Sequence, residues 1–138
     1  MNKLPTIARV LLGLIFLGSG VAGFVTRFAF PPDLPPNLLA FVHGMAASGY
    51  FMPLLKGTEA LCGLMLLSGA FVPLALVVLA PIVLNIFLTH LFLAPSGLPV
   101  ALFVGALEAY LAFFASPYKE IVGQIFRCPM REARASKA

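Results

Sequence analysis

Lys56 and Glu59 lie one helical turn apart inside "LLKGTEALCGLMLL", Leu54 to Leu67, a stretch with no other charge. A second carboxyl, Glu108, interrupts "VALFVGALEAYLAFF", while Asn85 and His90 interrupt "PIVLNIFLTHLFL". Together with Ser19 in "GLIFLGSGVAG", these side chains can donate and accept hydrogen bonds, pass a proton, or grip a polar head group. Ionisable residues within such apolar runs mark ligand or proton pathways by default. The structural alternative is a network in which Lys56 pairs with Glu59 and Asn85 holds helices in register.

Other chemistries find less support. Cys62 and Cys128 are 66 positions apart and form no CxxC, so a dithiol oxidoreductase is set aside, and Cys62 reads as a small packing residue. His43 and His90 lack the spacing and ligand count of a metal site, and none is expected. No serine sits in a nucleophile elbow, and no phosphate-binding glycine loop, haem-attachment motif or dinucleotide fingerprint is present.

Composition says where these residues must sit. Of 138 residues, 61% are hydrophobic and 10% charged, with a mean hydropathy of +1.03. A water-facing surface needs about 25% charged residues, so lipid is the fitting solvent. The net charge is +4, but no basic patch is interleaved with stacking aromatics, which argues against nucleic acid.

Four apolar segments are long enough to cross a bilayer as helices: about 7–26, 51–69, 72–93 and 100–115. The last is the shortest and could run on into "SPYKEI". Pro, Gly, Ser, Asp and Asn punctuate the separators "RFAFPPDLPPN", "SGAFVP" and "APSGLP". Lys3 and Arg9 ahead of "VLLGLIFLGSGVAG" mimic a signal peptide, but no clean A-x-A site follows, so this is read as the first span. Between the first two spans, "NLLAFVHGMAASGYF" (37–51) is apolar but short, and reads as an interfacial or re-entrant helix.

The expected fold is therefore an all-α membrane protein. It is a four-transmembrane-helix bundle over residues 1–118, with an extra interfacial or re-entrant helix between helices 1 and 2. A basic tail follows over 119–138. Lys3, Arg9, Lys119, Arg127, Arg131, Arg134 and Lys137 lie at the two ends, which places both termini on the cytoplasmic side.

Counting from the expected helix ends, Glu59, Asn85 and Glu108 each lie eight residues from the outer surface. At 1.5 Å per residue that is roughly 12 Å deep, near the midplane, and Ser19 reaches a similar level. A lipid-facing carboxylate there would cost about 2.5–3.5 kcal/mol, so both glutamates should turn inward. Lys56 and His90 fall nearer the outer end. The expected site is a polar pocket of Glu59, Glu108, Asn85, His90, Lys56 and Ser19.

The segments "ARVLLGLIFLGSGVAGF", "ASGYFMPLLKGTEALCGLMLL", "FVPLALVVLAPIVLNIFLTHLFL" and "LEAYLAFF" resemble the DoxX/DoxD-like membrane proteins, from about Ala8 to Tyr118. The resemblance implies a small multi-pass protein of the bacterial inner membrane associated with redox chemistry. The DoxD-type subunit belongs to a thiosulfate:quinone oxidoreductase, and a DoxX-type member joins a membrane oxidoreductase complex in oxidative-stress defence. Many other members have no known activity, and the family supplies no catalytic motif to carry across.

The expected function is a membrane component of a redox system whose pocket takes a quinone or similar amphipathic ligand. With no cofactor motif, the chain is at most a subunit of an oxidoreductase. The expected partners are membrane lipid, a soluble or membrane oxidoreductase, and a second copy of the chain. Two other classes stay open: a non-catalytic carrier of lipid or another small hydrophobic molecule, and a membrane anchor for soluble oxidoreductases acting through the tail.

Overall fold

Four runs of apolar residues become four long helices because a helix satisfies its own backbone groups wherever water is absent. In the computed structural model, which describes residues 2–127 and 132, every regular element is helical. Helix α1 is Leu4–Val25, α2 Pro36–Ala47, α3 Phe51–Ser68, α4 Val72–Phe92, α5 Leu98–Phe113 and α6 Tyr118–Ile125. A 3-10 turn, Pro95–Gly97, leads into α5. With that turn counted into α5, helices α1, α3, α4 and α5 are long and apolar enough to cross a membrane.

Prolines open several of these helices, where the missing N–H does no harm. Helix α4 continues through Pro81 without interruption. Helix α2 has 12 residues, roughly 18 Å of helix, well short of a hydrocarbon core of about 30 Å.

The last span differs from the sequence expectation. It does not run on into "SPYKEI": the chain breaks over 114–117 and α6 starts afresh at Tyr118. Ser116 Oγ donates to Glu120 Oε1 at 3.0 Å across this break. Val122 is buried, so α6 packs back on the bundle. Arg131, Arg134 and Lys137 of the basic tail, and Cys128, lie outside the described residues.

The closest pairing is α1 against α3. A Cβ on Gly20 would sit 2.6 Å from Ala60 N and Lys56 O. One on Gly63 would sit 2.8 Å from Gly13 O and Leu17 Cα. Only glycine lets the two backbones approach this far, the packing device of helices in lipid, where dispersion and not water expulsion holds helices together.

Arg9 locks one end of this pair. Its guanidinium lies within α1, and one nitrogen donates to Leu66 O at 2.5 Å and Leu67 O at 3.3 Å. Those carbonyls belong to the last turn of α3, which has no intrahelical donors for them and carries the negative end of the helix dipole. Gly69, at φ +77, turns the chain away just there.

The molecule is apolar outside as well as inside, unlike a water-soluble domain. Leu12, Phe16, Leu66, Leu76, Leu79 and Leu111 fill the core, but Leu61, Leu64, Leu74, Leu84, Leu102 and Phe103 face outward. Glu59 and Glu108 are the buried polar or charged residues among those described. An apolar exterior around inward carboxyls, on four helices of spanning length, marks a multi-pass membrane protein. Because Gly63 meets backbone and not a movable side chain, Gly63→Val is expected to destabilise the fold by about 1–3 kcal/mol or more. A lowered melting temperature in detergent would register this, with Gly18→Ala, which meets nothing within 4 Å, as the neutral control.

Candidate functional site

The α1–α3 contact sets the first part of the site. With Gly20 seated on the backbone of Lys56 and Ala60, the neighbouring Ser19 meets Glu59. Ser19 Oγ donates to Glu59 Oε2 at 2.7 Å, and Lys56 Nζ donates to the same oxygen at 2.9 Å. Lys56 Nζ also reaches Ser19 Oγ at 3.0 Å, which closes a triangle.

Lys56 pairs with Glu59, and its methylenes lie across Gly23. Glu59 is 3% exposed and Lys56 19%, so the pair is partly shielded and each charge depends on the other.

This triangle forms one wall of a cavity of about 320 Å³. Asn85, Thr89 and His90 of α4 line it too, and Val100 and Val104 of α5 contribute apolar surface. His90 Nδ1 lies 3.3 Å from Ala94 O. A carbonyl oxygen only accepts, so Nδ1 carries the proton in this contact and Nε2 is left as the ring's second polar atom.

Phe30, Phe41, Val42 and Met45 complete the lining from the loop after α1 and from α2. They belong to a small apolar cluster with Leu38 and Ala94, separate from the main core. The cavity is thus apolar over most of its wall, with a charged triangle, an imidazole, Asn85 and Thr89 as its polar features, the usual make-up of a small-molecule site.

Five of the six residues expected to form the site line this one cavity: Ser19, Lys56, Glu59, Asn85 and His90. Glu108 does not. It lines a different cavity, between α4, α5 and α6, and its Oε1 has no hydrogen-bond partner among the described residues.

The contribution of α2 was not foreseen from sequence. Its signal was the spacing of Phe41, Val42 and Met45, which at i, i+1 and i+4 presents a single apolar face. No cluster of three or more His, Cys, Asp or Glu exists among the described residues. Cys62 is buried in the main core.

Comparisons with protein-family models, with curated proteins and with solved structures return no match to the chain. The site therefore stands on its own geometry.

The charged triangle makes a direct prediction. Removing one partner strands the other charge in a poorly hydrated place, so Lys56→Met and Glu59→Leu should each cost about 3–5 kcal/mol. The double variant leaves no stranded charge and should cost clearly less than the sum of the two. Thermal denaturation of all four proteins in the same detergent measures this coupling, and additivity would show that the pair is not formed.

Proposed function

We propose that the chain is a DoxX/DoxD-like protein of the bacterial inner membrane. It crosses the membrane four times with both termini cytoplasmic, and α2 lies at the outer interface over the cavity. It serves a membrane redox system by binding a quinone or similar amphipathic molecule. The observation that carries this reading is the Lys56–Glu59–Ser19 triangle set into the wall of an otherwise apolar cavity.

A quinone has a flat apolar body and carbonyl oxygens that accept hydrogen bonds. The apolar walls suit the body, and Lys56 and Asn85 provide donors for the oxygens. A hydroquinone instead donates through its hydroxyls, for which Glu59 is the acceptor. The same wall therefore serves both redox states. Electrons come from a partner oxidoreductase, since the chain carries no cofactor motif. The residues of this chain bind the head group and give its protons a carboxylate to pass through.

Mass spectrometry of small molecules retained by the purified protein tests this, with wild type and a folded Glu59→Gln variant run side by side. A quinone should accompany the wild type and fall about tenfold in the variant, the effect of losing one charge-assisted hydrogen bond. A phospholipid behaving in that way would replace the redox reading with a lipid carrier. Identical extracts would remove the ligand and leave the triangle structural. Loss of function on truncation after Pro117, with Glu59→Gln silent, would instead point to an anchoring role.

A further inference from the structure

A second cavity is larger than the one with the charged triangle. It lies between α4, α5 and α6 and measures about 600 Å³. Along α5 it extends from Ala101 to Phe113, twelve residues or roughly 18 Å of helix. It is a long trough and not a round pocket.

Its floor is made of small residues. Ala101, Gly105 and Ala109 recur every fourth position on α5 and so lie on one face. Among the described residues a Cβ on Gly105 would meet only Val83 Cγ1, at 3.9 Å, so the space directly above it is open. Glycine here leaves a channel open, unlike Gly20 and Gly63, which bring backbones together.

One polar group interrupts this trough. Glu108 is 7% exposed, and its Oε1 is sealed from solvent with no hydrogen-bond partner among the described residues. Buried carboxyl oxygens are nearly always satisfied, and an orphan calls for a donor from elsewhere. The nearby cavity carries its own cation, Lys56, already held by Glu59 and Ser19. Among the described residues Glu108 has no such partner, and a cation carried by a ligand would complement a carboxylate there.

Phe113 and Phe126, with ring centroids 6.1 Å apart, line the α6 end of the trough.

We propose that the trough between α4, α5 and α6 is a second ligand site, which takes a long-chain ammonium ion with its head on Glu108 and its chain along the α5 channel. This site is separate from the one assigned to a quinone and does not depend on that assignment.

Equilibrium binding of radiolabelled dodecylammonium to the full chain in a non-ionic detergent tests the proposal, with unlabelled 1-dodecanol as a neutral competitor. Wild type should retain about one dodecylammonium per chain above the micelle background, undisturbed by 1-dodecanol. Glu108→Gln should weaken retention at least tenfold. Gly105→Leu, which fills the channel and leaves the carboxyl intact, should weaken it comparably while its helical circular dichroism stays that of wild type. Retention unchanged in folded Glu108→Gln or in Gly105→Leu would overturn the proposal. So would equal competition by 1-dodecanol, or loss in Glu59→Gln with Glu108→Gln unaffected, which would move the ammonium to the other cavity.

Discussion

Two glycines and the backbones they touch hold the site in place. Gly20 rests on the carbonyl of Lys56 and the amide of Ala60, and Gly63 rests on the backbone of Gly13 and Leu17. In lipid no expulsion of water drives helices together, so close contact and the polar bonds it permits carry the association. The Ser19–Glu59–Lys56 triangle is such a bond set, and it closes only because α1 and α3 approach without side chains between them. Packing and polar chemistry are thus one arrangement here: a bulkier residue at either glycine separates the helices and opens the triangle.

The two buried glutamates show how differently the same residue type can be housed. Glu59 receives two donors on one oxygen, from α1 and from its own helix. Glu108 sits among Ala, Val, Leu and Phe, with an oxygen that receives none among the described residues. One carboxylate is paired within the fold. The other remains an open demand. Helices α4 and α5 border both cavities, with Asn85 and Val104 on one side and Leu84 and Gly105 on the other.

Much of this was legible along the helix axis and little around it. Long apolar runs broken by Pro and Gly identify four helices of spanning length, because nothing else satisfies so many backbone groups away from water. Counting residues from helix ends put Ser19 and Glu59 at a similar depth, and they do meet. The same count put Glu108 beside them, but it lines another cavity. Depth follows from rise per residue, whereas direction has to be read from contrast between faces. Helix α5 is apolar nearly all round, so its sequence carries little of that contrast. The break before α6 was obscured for a similar reason, since "FFASPY" keeps the apolar character of a span until the proline.

Arg9 has a consequence for how the molecule comes to exist. One nitrogen of the Arg9 guanidinium, in the second turn of α1, donates to the final carbonyls of α3, which are synthesised more than fifty residues later. Until α3 is made, Arg9 lacks these acceptors within the chain. The end of the first helix is therefore fixed by a contact that only a later helix can supply.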